Sequence, residues 1–214
     1  MNSISRQPSP RPAPVLGQTL VMLAFALILG GAVAIPFFYE TQTLWYKAGM
    51  AKTLLRTGQM AGLLALVLLL TQILLALRPR FGERLFGPAV LVRWHKRNGL
   101  LIAGAAVMHV LLVVVPEGIN NWPIGVKHWP EMIGGSLLLL LLVTVLLSHY
   151  RVALGLSYPG WRRWHRPLGY LALSLAPVHV YFVSETFQHP LPFAALLLVL
   201  AALLPAIIKK YTAL

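Results

Sequence analysis

The 214-residue sequence contains no cysteine and few acidic residues. Without thiolates the chain cannot form disulfides, iron–sulfur clusters or thiolate-ligated metal sites. Seven histidines stand against only five acidic residues, so any metal chemistry depends mainly on imidazole. Charge of either sign is scarce as well: charged residues make up 11% of the chain, and long stretches carry none.

Hydrophobic residues are correspondingly abundant. They make up 58% of the chain, against about 45–50% in ordinary soluble domains. The net charge of +13 would suggest a nucleic-acid partner in a soluble protein, but here the basic residues flank uncharged apolar runs. We therefore expect a multi-pass membrane protein that contacts lipid and has no nucleic-acid partner.

Six stretches without Lys, Arg, Asp or Glu approach the roughly 20 apolar residues that a membrane-spanning helix needs. They cover about 17–39, 57–77, 98–116, 132–149, 167–184 and 190–208. The expected fold class is all-α, a bundle of six transmembrane helices over residues 17–210. A Pro- and Ser-rich arm at 1–16 is expected to be disordered, and residues 211–214 form a short C-terminal tail.

The basic residues divide unequally between the two sides that six spans define. One side, which holds both termini, carries 14 of the 18: Arg6, Arg11, Arg78, Arg80, Arg84, Arg93, Lys96, Arg97, Arg151, Arg162, Arg163, Arg166, Lys209 and Lys210. The other side carries Lys47, Lys52, Arg56 and Lys127. By the positive-inside rule, the N- and C-termini are expected to be cytoplasmic.

An eighteen-residue pattern occurs twice, as RWHKRNGLLIAGAAVMHV from Arg93 and RWHRPLGYLALSLAPVHV from Arg163. In each copy two histidines are 14 residues apart: His95 and His109, then His165 and His179. Fourteen residues are nearly four helical turns, so the two rings lie about 40° apart around the axis and about 21 Å apart along it. The copies lead into the third and fifth spans, which run parallel. His95 would therefore face His165, and His109 would face His179.

Imidazoles inside a bilayer are costly and usually functional. Two facing imidazoles at one depth suit the two axial positions of a haem iron, so two such levels would hold two haems between the third and fifth helices. Zinc fits less well, because it takes three or four ligands on one ion and these four are split into twos. Hydrogen bonding between helices explains a single membrane histidine better than it explains four at matched spacing.

Basic residues flank the first histidine of each copy. They lie where the propionates of the haem nearer the cytoplasm would need cations, although topology signals explain them equally well: Arg93, Lys96, Arg97, Arg163 and Arg166. Gly99 and Gly169, four residues after each first histidine, would let a macrocycle or a neighbouring helix approach. The other histidines, His128, His149 and His189, are expected to be structural or exposed to solvent.

The repeated pattern R-W-H-[KR]-x-x-G-x9-H-V resembles the ferric reductase-like transmembrane domain, which ferric reductases and NADPH oxidases share. The resemblance covers about residues 17–208 and implies two b-type haems, the inner one on His95 and His165 and the outer one on His109 and His179. It also implies electron transfer from a cytoplasmic flavin and NAD(P)H donor to an acceptor at the outer face. A bacterial relative of about this size is the haem-bearing membrane subunit that serves a periplasmic methionine sulfoxide reductase, and we expect a bacterial inner-membrane location.

Full ferric reductases and NADPH oxidases continue into a cytoplasmic flavin- and NADPH-binding module. This sequence has no G-x-G-x-x-G loop, so FAD or FMN would come from a partner flavoprotein or from a module that follows the chain. The acceptor stays open among a ferric chelate, a periplasmic enzyme, dioxygen and a quinone. Two alternatives stay open too: a membrane subunit dedicated to one periplasmic reductase, or a non-redox haem carrier, haem sensor or proton-relaying transporter.

Overall fold

The computed structural model describes residues 15–117 and 122–212, and these residues form helices and connecting turns. The α-helices are α1 (Val15–Phe38), α2 (Gln42–Trp45), α3 (Gly49–Leu77), α4 (Arg80–Phe86), α5 (Pro88–Val114), α6 (Trp129–His149), α7 (Tyr158–Val183) and α8 (Pro190–Thr212). Single 3-10 turns lie at Val115–Glu117, Val126–His128 and Glu185–Gln188. No strand occurs in the described ranges, and the all-α prediction is confirmed.

Five segments are long and apolar enough to cross a membrane, which confirms a multi-pass membrane protein. They are α1, α3, α5, α8 and the segment Val126–His149, which includes α6. The fifth predicted span, 167–184, lies on α7, whose first turns carry Arg162, Arg163 and Arg166 and make it less apolar than the other five. Most helices begin before the predicted spans do, because polar and basic first turns continue the helix beyond the apolar run.

The helix bounds differ from the predicted bounds at both ends of the chain. Helix α1 begins at Val15, two residues inside the predicted N-terminal arm, and the rest of that arm lies outside the described residues. At the other end, α8 continues to Thr212, past the predicted boundary at residue 210. The apolar run and the helix therefore end at different residues at both termini.

Two helix pairs organise the bundle: α3 packs along α5, and α6 packs along α7. The buried core draws on several helices, with Leu66 and Leu69 from α3, Ile102 from α5, and Ala172 and Ala176 from α7. In contrast, α5 and α7 make little close backbone contact with each other. Side chains must therefore bridge the space between these two helices.

A polar cluster closes the end of the bundle where α1 ends and α3 begins. The Glu40 carboxylate accepts hydrogen bonds from the ammonium group of Lys52, at 2.8 Å, and from the guanidinium group of Arg56. The backbone N–H of Gln42 donates to the carboxylate of Glu185 at 2.7 Å. These contacts tie the α1–α3 connection to the turn before α8.

We expect Glu40→Gln to lower the thermal stability modestly at neutral pH and to have no effect in acid. The hydrogen bond from Lys52, aided by the charges of Lys52 and Arg56, holds the pKa of Glu40 below its usual value. A depressed folded-state pKa means that the stabilisation is present above the unfolded-state pKa and is lost as the pH falls through the folded-state pKa. The carboxylate is partly exposed, so the effect is small. Melting temperatures of both proteins in detergent, at neutral and acidic pH, test this, and an equal difference at both pH values would contradict it.

Candidate functional site

The four histidines of the repeated pattern meet in two pairs between α5 and α7. The ring centroids of His95 and His165 are 6.1 Å apart, and those of His109 and His179 are 6.5 Å apart. The ring planes are 75° apart in both pairs. Because the backbones of α5 and α7 stay apart, the imidazoles extend toward each other from two separate helices. This is the facing arrangement that the 14-residue spacing predicts.

A centroid separation near 6 Å is the one that two imidazoles on opposite sides of a metal ion need. Metal–nitrogen bonds to imidazole are about 2 Å long, and adding the distance from nitrogen to ring centre on each side gives roughly 6 Å in total. Aromatic rings in edge-to-face contact lie at similar distances, so the distance alone does not distinguish the two cases. The hydrogen bonds of each ring decide which nitrogen is free to bind a metal.

In the outer pair, main-chain carbonyls fix both rings. The Nδ1 atom of His109 lies 2.8 Å from the carbonyl oxygen of Gly58, and Nδ1 of His179 lies 2.9 Å from that of Pro130. A carbonyl oxygen can only accept, so each Nδ1 carries the proton and donates it. The lone pair of each neutral ring is then on Nε2, which is the arrangement found in metal-ligating histidines.

A glycine four residues after each carbonyl makes these hydrogen bonds possible. In an α-helix the carbonyl of residue i points toward residue i+4, so a side chain there would cover it. A Cβ atom on Gly62 would lie 2.8 Å from Nδ1 of His109, and one on Gly134 would lie 2.3 Å from Cε1 of His179. We call the pairs Gly58/Gly62 and Pro130/Gly134 the glycine seats. The sequence alone did not predict the glycine seats, although the G-x-x-x-G spacing of the first seat was a visible signal.

In the inner pair, a hydroxyl group fixes His165. Ser148 donates its only hydroxyl proton to the carbonyl oxygen of Thr144 at 2.6 Å. Its oxygen therefore accepts from Nδ1 of His165 and from Nε1 of Trp161, both at 3.2 Å. The Trp161 ring also stacks on His165, with centroids 4.6 Å apart and planes 25° apart. As in the outer pair, Nε2 of His165 is left with the lone pair.

His95 is held through its backbone, and one of its ring nitrogens has no partner. The Gln72 amide nitrogen donates to the His95 carbonyl at 3.0 Å and lies 3.4 Å from Nε2 of the ring. Buried Asn98 holds the Gln72 amide oxygen at 2.8 Å. Nδ1 of His95 is buried without a hydrogen-bond partner among the described residues. A buried ring nitrogen without a partner destabilises the fold.

The donor set fits a haem iron. Among the described residues, no three His or acidic side chains cluster at one point, so each pair offers two trans ligands and no more. Two imidazoles fill the axial positions of a haem, whose macrocycle supplies the other four ligands. Gly169, on the inner turn of α7, has open space where a Cβ would be, whereas Gly99 faces the Gln72 amide at 3.4 Å and so serves helix packing.

We expect Ser148→Ala to weaken cofactor binding at the inner pair about tenfold, because loss of a hydrogen bond that orients a metal ligand typically costs 10–100-fold in metal affinity. Without the hydroxyl, His165 loses the acceptor that fixes its protonated nitrogen. Ser174→Ala is the matched control, since Ser174 caps only the Tyr170 carbonyl on an exposed face of α7. Haem titration of the apoprotein would measure both affinities. Equal affinities in the two variants would contradict the role of Ser148.

The five basic residues proposed for propionates lie in the first turns of α5 and α7, at the end of the bundle that holds His95 and His165. At 100° per residue, Lys96 and Arg166 are a quarter turn from the histidines that precede them. The other three, Arg93, Arg97 and Arg163, point to the far side of their helices, roughly 160° away. Lys96 and Arg166 are therefore the better placed of the five.

The remaining histidines lie outside the two pairs. His149 contacts Tyr150, with ring centroids 4.9 Å apart, and His189 contacts Tyr39 at 5.0 Å. Nδ1 of His128 lies 3.8 Å from the Glu131 carboxylate. Each of these three histidines therefore contacts another side chain at a helix end or turn, away from the two histidine pairs.

Comparison with known proteins gives one match. Residues 61–176 match the family model described as "Ferric reductase like transmembrane component". This range is just over half of the chain; it includes His95, His109 and His165 and ends shortly before His179. The matched range also includes Gly62, Gly134 and Ser148, which help to orient the histidines. No curated protein and no solved structure matches the chain.

Proposed function

Because the chain belongs to the ferric reductase-like transmembrane family, we propose that it carries electrons across a membrane through two haems, each held between α5 and α7 by one histidine pair. Family membership indicates membrane redox electron transfer in general. The observation that carries the finer proposal is the pair of ring levels at 6.1 and 6.5 Å, in which hydrogen bonds to Nδ1 leave Nε2 of His109, His165 and His179 free.

Each residue has a defined part in this proposal. His95 and His165 ligate the inner iron, and His109 and His179 ligate the outer iron, about 21 Å further along the helices. The glycine seats and Ser148 hold the ligands in one tautomer and orientation. Haem, when bound, supplies the one-electron chemistry, while the chain excludes water and sets the ligand field. The haems are of b type, since a chain without cysteine cannot form thioether links to haem.

The proposed direction of transfer combines the family resemblance with the topology that the charge distribution predicts. We propose that α7 also crosses the membrane, as the fifth of six spans, and that both termini are cytoplasmic, since 14 of the 18 Lys and Arg residues then lie on the inner side. Electrons enter from a cytoplasmic flavoprotein or flavin module at the inner pair and leave at the outer face of a bacterial inner membrane. The acceptor there is a ferric chelate, a periplasmic enzyme, dioxygen or a quinone. Lys96 and Arg166 are the cations that we assign to the inner propionates.

Haem content per chain tests the proposal most directly. The detergent-purified protein is expected to hold about two b-type haems, with low-spin, six-coordinate spectra in the oxidised and dithionite-reduced states. A single haem would mean that one histidine pair is structural. A colourless protein from haem-supplied cells would overturn the proposal and favour a transporter whose histidines relay protons.

A further inference from the structure

An open groove of about 410 Å³ lies on the first turns of α7, between Tyr158 and Pro167. Its lining contains three arginines, one tyrosine and two prolines: Tyr158, Pro159, Arg162, Arg163, Arg166 and Pro167. We call it the arginine groove. Three guanidinium groups around one concave surface form a concentrated positive site, and arginine binds phosphate with two parallel hydrogen bonds.

No carboxylate of this part of the chain neutralises the groove. Residues 132–184 contain no Asp or Glu. At this end of the bundle the acidic residue is Glu83, and it pairs with Arg78 at 2.7 Å. Glu40, Glu131 and Glu185 lie at the opposite end, beside the other ends of the same helices. The positive charge of the groove is therefore available to an anion from outside the chain.

The groove is separate from the histidine pair below it. At 100° per residue, Arg162 lies about 60° and Arg163 about 160° from His165 around the α7 axis. The lining extends from Tyr158, roughly 10 Å nearer the helix start than His165, to Pro167, roughly 3 Å past it. An anion in the groove would therefore bind beside the haem site, not within it, and the inference does not depend on haem.

Apolar side chains beside the groove are exposed. Val152 and Leu154, in the connection that precedes α7, are 78% and 54% exposed. Tyr158 is held between the guanidinium of Arg151, at 5.9 Å, and the Trp161 ring, at 5.6 Å. Cations next to exposed aromatic and aliphatic side chains are typical of the headgroup region of a membrane. A phosphate compound dissolved in water would not need these apolar neighbours.

We propose that the arginine groove binds the phosphate group of an anionic phospholipid. Phosphate oxygens would accept from Arg162 and Arg163, the two arginines of the groove that are not assigned to a propionate, while the acyl chains lie against the exposed apolar residues. Positive-inside topology requires only an excess of basic residues in the connection. It does not require three of them around one groove, which is the feature that phosphate recognition explains.

The full-length protein in neutral detergent, with fluorescent phosphatidylglycerol as the probe, tests the proposal. Wild-type protein is expected to bind phosphatidylglycerol more tightly than phosphatidylcholine. Arg162→Gln should weaken phosphatidylglycerol binding about fivefold, since one cation near an anionic surface contributes about 1 kcal/mol. Arg84→Gln is the matched control, because it removes an exposed cation at the same end of the bundle outside the groove.

Three results would overturn the proposal. Unchanged phosphatidylglycerol binding by Arg162→Gln would show that the groove does not bind the lipid. An equal loss in Arg84→Gln would show that diffuse surface charge, not the groove, attracts the lipid. Displacement of the probe by soluble glycerol 3-phosphate at comparable concentrations would assign the groove to a water-soluble phosphate compound instead. Circular dichroism of each variant confirms that the helices are intact, so a loss of binding is not mistaken for unfolding.

Discussion

Replacing His109 with alanine is expected to lower the haem content of the purified chain from about two to about one, with the remaining haem six-coordinate and low-spin. The substitution removes one of the two ligands at the outer level, while His95 and His165 keep the inner level complete. His95→Ala should have the opposite selectivity. The measurement is haem per chain, together with oxidised and reduced absorption spectra.

The haem spectra of paired histidine variants test which histidines ligate the same iron. His109→Ala and His179→Ala should give the same residual spectrum, because each removes a ligand from the same iron. His109→Ala and His165→Ala should give different spectra, because they remove ligands from different irons. His189→Ala, whose ring contacts Tyr39, is the control and should retain both haems. Two full haems in His109→Ala would show that the ligand assignment is wrong.

Gly134→Ala is expected to remove most of the outer haem even though no ligand is changed. The added Cβ would lie 2.3 Å from Cε1 of His179, a distance that forces the imidazole to move. A displaced ring loses its hydrogen bond to the Pro130 carbonyl and no longer directs Nε2 at the iron. Alanine in a helix is about 1 kcal/mol more favourable than glycine, so α6 itself should not lose stability.

Gly135→Ala separates this effect from a general sensitivity of α6. Its Cβ would meet no atom within 4 Å, and it differs from Gly134→Ala only by one position on the same helix. We expect the control to keep about two haems, as the wild-type protein should. Haem content and the melting temperature are measured on both variants. Two haems in Gly134→Ala would mean that His179 adjusts without loss of ligation, and equal losses in the two variants would point to packing of α6 instead.

The sequence was sufficient to predict that the histidines of α5 and α7 face each other in two pairs. Both depend on spacing within one helix, and an α-helix converts 14 residues into a known rotation and rise. Apolar runs likewise predicted the helices, although the arginines in the first turns make α7 less apolar than the rest. Helix starts were less accurate, because helix propensity continues where hydrophobicity stops.

The residues that orient the histidines could not be predicted in the same way. His109 bonds to a carbonyl 51 residues earlier, and His179 to one 49 residues earlier. These distances depend on how far two helices slide along each other, and no periodicity within one helix records that. The residue that contacts His165 is Ser148, an ordinary hydroxyl in an apolar span, and no sequence pattern distinguished it.

The two glycine seats also indicate how freely each position can vary. The acceptor is a main-chain carbonyl, and it is supplied by glycine in one seat and by proline in the other. Any residue type can provide that atom, but a Cβ on Gly58 would lie 2.8 Å from Cγ2 of Val113, so this position also favours glycine. Four residues later, the imidazole occupies the volume of a Cβ in both seats. Substitution tolerance should therefore change from permissive to glycine-only within one helical turn of α6, whereas both positions of the α3 seat should require glycine.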